Sequence, residues 1–188
     1  AENHAALTTV NQFTRKVQAI HEALDIPSNY AHDRKLPLCV EPDKLVDTEL
    51  DFYQRPQRLT AAAFSAWSAM KAAAAADEVA VVLISAFRDL EYQRGLIEKK
   101  LSDGQALAEI LRVNAAPGYS EHHTGRAIDV GTANCDALSE NFENTTAFQW
   151  LTANASIYHF SMSYPRTNVF GIQYEPWHWC FSAEKKQA

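Results

Sequence analysis

The chain has 188 residues, of which 47% are hydrophobic and 21% charged, and its formal net charge is −6. This length suits one domain with a hydrophobic core, and the balance of apolar and charged residues is that of an ordinary globular protein rather than a disordered one. The negative charge, without any run of Lys or Arg, argues against nucleic acid as a partner, and no stretch approaches the roughly 20 apolar residues of a membrane-spanning helix.

The first part of the chain contains two predicted helices separated by irregular chain. Residues 7–25 carry apolar side chains spaced as on one face of a helix, at Val10, Phe13, Val17, Ile20 and Leu24. Residues 27–42 contain three prolines and predict surface chain with at most a short strand. A second helix is predicted to begin near Pro56, because proline suits the first turn of a helix. Its buried face would consist of Leu59, Ala63, Trp67, Met70 and Ala74.

The rest of the chain mixes strands and helices without a regular repeat. Apolar or β-branched runs predict strands at 79–85, 127–131 and 172–181. Helices are predicted at 89–101, at 104–113, and from Asn144 or Thr145 onward. The expected fold class is therefore α+β, with a small, mostly antiparallel sheet and helices packed on it. We expect a single domain over residues 1–188, in which residues 1–30 form an N-terminal helical extension.

The cysteines exclude one kind of metal site. Cys39, Cys135 and Cys180 lie far apart in the chain and no C-x-x-C motif occurs, so a structural zinc knuckle is excluded. The odd number leaves at least one thiol free or paired with another chain. One internal disulfide is compatible with the sequence, which does not assign it.

One short stretch, SEHHTGRAIDVG at 120–131, concentrates groups that bind metals. It offers His122 or His123, followed by Asp129 after a glycine. A catalytic zinc takes three protein ligands and keeps a fourth position for water. This stretch cannot supply all of them, so a further ligand must come from another segment. Taken alone, a histidine pair in a loop is most often exposed or hydrogen-bonded, and Asp129 could simply cap a turn.

A second stretch near the far end, EPWH at 175–178, supplies the missing groups. His178 would complete the ligand set, and Glu175 would accept a proton as water attacks a carbonyl. The alternative is that His178 is a packed sheet residue between Trp177 and Trp179. The joint occurrence of both stretches favours a hydrolytic zinc site.

Both stretches resemble the zinc motifs of a known family. The pattern S-x-H-x-x-G-x-A-x-D at 120–129 and the sequence EPWHW at 175–179 resemble those of the VanY-type D-alanyl-D-alanine carboxypeptidases. These zinc peptidases share a fold with the hedgehog signalling domain, so the resemblance implies a hedgehog/DD-peptidase-like fold. Three other segments are similar to family members, namely SAFRDLEYQ, WLTANASIYHFSMSYP and DRKLPLCVEPDKLV. The resemblance spans about residues 25–181.

The resemblance implies a role for each candidate residue. The residues at matching positions are, as ligands of one Zn²⁺ ion, His122, Asp129 and His178; as catalytic base, Glu175; and, at the substrate pocket, Arg88, Gln93 and Ser120. Arg88 would have a substrate-binding role, because a guanidinium can bind the terminal carboxylate of a peptide through two hydrogen bonds. Its catalytic role would be to aid zinc in stabilising the oxyanion, a role that another donor could also fill. Without the resemblance, Arg88 would be interpreted as a surface arginine at the start of a helix.

The chain departs from the family pattern at positions outside the ligand set. His159 stands where glycine is usual, Arg126 where a small or aliphatic residue is more usual, and Cys180 where arginine is common. None of these positions is a matched ligand or the base, so the departures concern substrate detail rather than hydrolysis. The roles of His123, Arg126 and His159 stay open.

The function implied is that of a zinc carboxypeptidase that removes the C-terminal D-alanine from peptidoglycan stem peptides. A D,D-carboxypeptidase is favoured, with an L,D-carboxypeptidase acting on tetrapeptide stems as the alternative. A non-catalytic, zinc-bearing binding module is the alternative from another class. The substrate implies a periplasmic or secreted location in the bacterial cell envelope, and we expect a monomer.

Overall fold

A computed structural model describes the backbone of residues 2–183 and the side chains of residues 7–183. The helices are α1 (Glu2–Ala23), α2 (Tyr30–Asp33), α3 (Ala61–Ala76), α4 (Leu90–Ser102), α5 (Leu107–Val113) and α6 (Thr146–Asn154). The strands are β1 (Val46–Asp47), β2 (Arg58–Leu59), β3 (Val82–Ser85), β4 (Ala127–Gly131), β5 (Phe160–Met162) and β6 (His178–Phe181). Single 3₁₀ turns occur at 121–124, 140–144 and 155–158. No helix within residues 2–183 is both long enough and apolar enough to cross a membrane.

The central sheet has the strand order β3-β4-β6-β5, and every neighbouring pair is antiparallel. Strand β4 therefore lies in the interior of the sheet, and all five of its residues are buried. A second, two-stranded sheet pairs β1 with β2. This arrangement confirms the predicted α+β class with a small antiparallel sheet.

One face of the central sheet packs on α3. Ile128 and Val130 from β4 and Trp179 from β6 belong to the same hydrophobic cluster as the apolar face of this helix, which is the main core. All five residues of the predicted apolar face, Leu59, Ala63, Trp67, Met70 and Ala74, are fully buried, but Leu59 belongs to β2 and not to α3. The predicted start near Pro56 is wrong, because Arg58 and Leu59 pair with β1 and the Thr60 hydroxyl caps the helix at Ala61.

A second hydrophobic cluster joins α1, α4 and α5. The apolar face of α1 contributes Phe13, Val17, Ile20 and Leu24, and α4 and α5 contribute Leu90, Ile97, Ile110 and Leu111. Val10, which the sequence predicts on the same face, is 38% exposed and does not belong to this cluster. Whether the chain is one domain with residues 1–30 as an extension stays a prediction.

The predicted final strand is shorter in the structure. Only His178–Phe181 of the expected 172–181 is extended, because Pro176 lies in a tight turn before β6. The edge strand β5 has only three residues, too few for a periodic signal in the sequence. His159, just before it, has φ +62°, a left-handed conformation that explains why glycine is usual at this position.

A buried carboxylate organises the segment that covers the free edge of β3. Asp51 is 1% exposed and accepts hydrogen bonds from the backbone N–H groups of Tyr53 and Arg55 (2.8 and 2.9 Å). It also accepts from Arg55 Nε (2.7 Å) and Gln57 Nε2 (2.9 Å). Gln57 Oε1 in turn accepts from the N–H of Ala86 at 2.9 Å. Asp51 therefore fixes the conformation of residues 51–57. Gln57 of this segment in turn holds Ala86, the residue just after β3.

We expect Asp51→Ala to lower the free energy of unfolding by about 3 kcal/mol or more, because it leaves several donors without their acceptor. Urea unfolding measures this, with the exposed Asp43→Ala as a control that should change stability by no more than about 0.5 kcal/mol. Although burial alone would raise the pKa of Asp51, hydrogen bonds from Arg55 and Gln57 lower it. The difference in the free energy of unfolding between wild type and Asp51→Ala should therefore become smaller as the pH falls through this lowered pKa. Equal stability of Asp51→Ala and Asp43→Ala at neutral pH would contradict the role of Asp51.

Candidate active site

The register of β4 against β6 places two predicted ligands side by side. Asp129 is paired directly with His178, while the preceding pair, Ile128 and Trp179, belongs to the hydrophobic core. Successive side chains of a strand point to opposite faces, so Asp129 and His178 share the face away from that core. His178 Nδ1 lies 3.2 Å from Asp129 Oδ1. Both side chains are almost fully buried.

His122 reaches the same face from the 3₁₀ turn before β4. The turn ends at Gly125, which has φ +62° and lies against the start of α3, where its C=O accepts from the N–H of Thr60 at 2.8 Å. The left-handed conformation favours glycine here, and a Cβ at this position would lie 2.6 Å from Leu45 Cδ2, so the leucine side chain would have to shift. His122 Nδ1 donates to the C=O of Ala86 at 2.6 Å, which turns Nε2 toward Asp129 Oδ1 at 3.2 Å.

His122, Asp129 and His178 could hold a metal ion. One ligand atom from each lies within 4.8 Å of the other two. His122 Nε2 is buried and has no hydrogen-bond partner among the described residues, as expected of a nitrogen that ligates a cation. Burial and the nearby charge of Arg88 lower the pKa of His122 to about 4, so its imidazole is neutral and able to bind a metal near neutral pH. Two imidazoles and one carboxylate are a donor set that suits zinc.

The surroundings of His178 favour positive charge. Burial alone would lower its pKa, but hydrogen bonds to Asp129 and Glu121 raise it to about 10. The Nε2–H of His178 donates to Glu121 Oε2 at 2.8 Å, so Nδ1 is the nitrogen that faces the other two ligands. A metal cation bound at Nδ1 would supply the positive charge that Asp129 and Glu121 otherwise favour on the protonated ring.

His123 lies outside this cluster and has a structural role. Its Nδ1 donates to the C=O of Arg88 at 2.6 Å, and its Nε2 accepts from the N–H of Gly118 at 3.1 Å. This tautomer is neutral, and burial lowers the pKa of His123 to about 4. The second histidine of the pair therefore joins the chain before α4 to the loop before the 3₁₀ turn.

Glu175 lies beside the three side chains at the start of a tight turn. The N–H of His178 donates to the C=O of Glu175 at 3.1 Å, which brings the two side chains of this E-x-x-H sequence together. Glu175 Oε2 lies 3.8 Å from His178 Nδ1. Burial raises the pKa of Glu175 to about 7, a value suited to a group that exchanges a proton near neutral pH.

A cavity of about 260 Å³ opens onto the cluster. All seven site residues predicted from the sequence line it: Arg88, Gln93, Ser120, His122, Asp129, Glu175 and His178. Two further buried polar atoms here have no hydrogen-bond partner among the described residues, namely Arg88 Nε and Gln93 Oε1. The other end of the Gln93 amide is fixed, since Nε2 donates to the C=O of Ala115 at 2.8 Å. Polar atoms without partners in a cavity are available to a ligand.

Glu121 is a site residue to which the sequence analysis assigned no role. In addition to the Nε2–H of His178, its Oε2 accepts from the Ser163 hydroxyl at 2.6 Å. Carboxylates that bind the second ring nitrogen of a metal-binding histidine orient the ring and fix its tautomer. The available signal was an acidic residue directly before His122, but its contact with His178 depends on how β6 folds back onto β4.

Comparisons with known proteins match most of this chain to one family. Residues 56–184 match the family model described as VanY, D-alanyl-D-alanine carboxypeptidase. A putative carboxypeptidase, YodJ of Bacillus subtilis (strain 168), is 28% identical over 187 residues, which are 95% of this chain and 64% of that relative. This chain thus spans less than two thirds of the relative's length.

Two solved structures are similar to the present one. The LdcB LD-carboxypeptidase is 28% identical with a TM-score of 0.70, over 80% of this chain and 72% of that one. A variant of the vancomycin resistance D,D-pentapeptidase VanY, solved in complex with Zn(II), has a TM-score of 0.57 at 24% identity, over 77% of this chain and 86% of that one. At 24% identity, the similarity to this second structure is evidence for the fold alone. The family model covers more than half of the sequence, and the chain therefore belongs to the VanY family of D-alanyl-D-alanine carboxypeptidases.

Proposed function

We propose that this chain is a zinc-dependent carboxypeptidase that removes the C-terminal D-alanine from peptidoglycan stem peptides, outside the cytoplasmic membrane. The observation that carries the proposal is the grouping of His122, Asp129 and His178 within 4.8 Å, with the Glu175 carboxylate 3.8 Å from His178. A purely structural metal site has no need of an unligated carboxylate beside an open position. This argues for an enzyme over a non-catalytic, zinc-bearing binding module.

The protein's own groups can perform the proton transfers of peptide hydrolysis. His122, Asp129 and His178 would hold the zinc ion, which would supply Lewis-acid chemistry by lowering the pKa of water and polarising the scissile carbonyl. Glu175 takes up the proton of the attacking water on its carboxylate and returns it to the amine of the departing residue. Burial raises the pKa of Glu175, which favours the uptake of a proton by this carboxylate.

Arg88 is proposed to bind the C-terminal carboxylate of the substrate. Its backbone is held on both sides, since its N–H donates to the C=O of His122 (3.3 Å) and its C=O accepts from His123 Nδ1 (2.6 Å). The guanidinium lines the cavity, and its buried Nε is without a partner among the described residues. A planar guanidinium can bind a carboxylate through two parallel hydrogen bonds. Gln93 and Ser120 are proposed to line the pocket for the departing residue.

D,D-carboxypeptidase activity is the favoured assignment, because it is the activity that the family's description names. A specific observation keeps L,D-carboxypeptidase as the second candidate. The LdcB LD-carboxypeptidase has the higher TM-score of the two solved structures, 0.70 against 0.57. A D,D-carboxypeptidase removes the fifth residue of a pentapeptide stem, and an L,D-carboxypeptidase removes the fourth residue of a tetrapeptide stem.

Incubation with defined pentapeptide and tetrapeptide stems, followed by mass analysis, tests the proposal. We expect loss of one alanine from the pentapeptide, no reaction after chelation, and recovery on addition of zinc. Glu175→Gln should bind zinc and fold as the wild type does, yet turn over at least about 100-fold more slowly, which is the scale for loss of a general base. Full activity in a verified metal-free preparation, or unchanged turnover by Glu175→Gln, would contradict the mechanism. Release of alanine from the tetrapeptide alone would instead establish the L,D assignment.

Replacement of Arg88 separates carboxylate binding from general damage. Arg88→Ala should weaken transition-state binding of peptides with a free C-terminus by about 2–5 kcal/mol, with zinc content unchanged. Arg88→Lys should recover little, because an ammonium cannot make the planar two-point contact. A C-terminally amidated peptide should be a poor substrate of the wild type and lose little further in the variant. If Arg88→Ala slows acid and amide peptides by the same factor, Arg88 does not bind the terminal carboxylate.

Glu121 should affect zinc affinity through His178. We expect Glu121→Ala to weaken zinc binding by about 10- to 100-fold, the scale for loss of a partner that orients a metal-binding histidine. Competition with a chromogenic chelator measures this without reference to turnover. Ser163→Ala is the matched control, because it removes another partner of Glu121 but leaves the contact with His178 in place. Equal zinc affinity of Glu121→Ala and wild type would exclude this role.

A further inference from the structure

A second basic side chain, Lys100, lines the cavity that contains Arg88. The acidic residues that line the cavity are Asp129 and Glu175, and both belong to the metal cluster and its proposed base. Arg88 is assigned to the terminal carboxylate of the substrate. Lys100 is therefore a cation of the cavity to which the proposed reaction gives no role.

Lys100 differs from its neighbours in having no ionic partner. Among the described residues, its ammonium contacts no carboxylate, although it is half-buried. The adjacent Lys99 is exposed and pairs with Asp103 across one turn of α4 at 2.8 Å. Arg94, one turn after Leu90, likewise pairs with Glu98 at 2.7 Å. A half-buried cation without a counter-ion favours an anion that arrives with the ligand.

The position of Lys100 on α4 sets its distance from the reacting end of the cavity. Lys100 follows Gln93 by two helical turns, so both side chains lie on the same face of α4, roughly 10 Å apart along its axis. An extended peptide covers about 3.3–3.6 Å per residue. The distance thus corresponds to roughly three residues of substrate between the departing residue, near Gln93, and the group that meets Lys100.

We propose that Lys100 is a specificity-determining residue that binds a second free carboxylate of the stem peptide, on the N-terminal side of the cleaved bond. This inference rests on the proposed carboxypeptidase function and adds a substrate class to it, namely stem peptides whose internal carboxylates are not amidated. Two carboxylates within reach have the same chemistry: the α-carboxylate of a γ-linked glutamate at the second residue, and the side-chain carboxylate of a diamino diacid at the third.

A set of four peptides distinguishes these two sources. The four peptides share one sequence and differ only in amidation. In the first peptide both internal carboxylates are free. The other three are amidated at the second residue, at the third residue, or at both. Lys100→Met retains the length and apolar stem of the side chain and removes its charge. Lys99→Met is the matched control, since it removes an adjacent lysine that does not line the cavity.

We expect Lys100→Met to lower kcat/KM about tenfold for the peptide with both carboxylates free, the scale of one charge-assisted hydrogen bond. The loss should be in KM with kcat unchanged, because Lys100 is remote from the reacting bond. The peptide with both carboxylates amidated should show no difference between wild type and Lys100→Met. Whichever single amidation abolishes the effect identifies the carboxylate that Lys100 binds, and Lys99→Met should match the wild type throughout.

Calorimetric binding of the same peptides to the Glu175→Gln variant, with and without Lys100→Met, provides a measurement independent of turnover. The same tenfold difference in Kd, confined to peptides with free internal carboxylates, supports the role of Lys100 even if hydrolysis is slow. Cleavage of all four peptides with no discrimination by Lys100→Met would overturn this inference and leave the proposed function intact. An equal loss on free and amidated peptides would also overturn it. Absence of both cleavage and binding for every peptide would overturn the inference together with the proposed function.

Discussion

The pairing of Asp129 with His178 across β4 and β6 is the contact on which the rest of the site depends. The register places both side chains on one face, while Ile128 and Trp179 fill the core on the other. A slip of one residue in either strand would exchange these faces, so hydrophobic burial enforces the register that creates the site. The burial of Asp129 alone would raise its pKa, but the imidazoles of His122 and His178 lower it, so the ionised form persists inside the protein.

The short segment between β3 and α4 connects the metal cluster to the pocket. The C=O of Ala86 orients His122, and the C=O of Arg88 accepts from His123. The two adjacent histidines thus hold the same three-residue segment at both of its ends. Asp51 supports this segment from the other side through Gln57, which holds the N–H of Ala86. The position of the Arg88 side chain relative to the cluster is therefore set by backbone hydrogen bonds, and not by a flexible loop.

Residues whose roles follow from local spacing could be predicted from the sequence, whereas those that depend on the packing of distant segments could not. Family membership follows from two short motifs, and the structure brings their candidate residues into one cavity. The contact of Gln57 with Ala86 and that of Glu121 with His178 arise only when segments far apart in the chain meet. The same holds for Lys100, because the orientation of α4 decides whether a helical lysine faces solvent or a cavity.

Errors at element boundaries have equally local causes. Proline near the start of a helical pattern suggested a first turn at Pro56, but a two-stranded sheet takes up the following residues and Thr60 caps the helix. The proline of EPWH interrupts what would otherwise extend β6 toward residue 172. In both cases a competing turn or strand pairing decides the boundary, which single-residue propensities do not reveal.

The chemistry of the thiols follows from where they are buried. Burial raises the pKa of Cys39 to about 12, and burial together with the charge of Glu121 also raises the pKa of Cys180. Because the thiolate is the reactive form, both sulfurs are weak nucleophiles and weak soft-metal ligands at neutral pH, although Cys180 lies only two residues after His178. Cys135 is partly buried and packs against the main hydrophobic core. A thiol-directed dye or mild oxidant should thus react slowly with Cys39 and Cys180. Modification of Cys135 would leave the lining of the cavity unchanged, because Cys135 is not among the residues that line it.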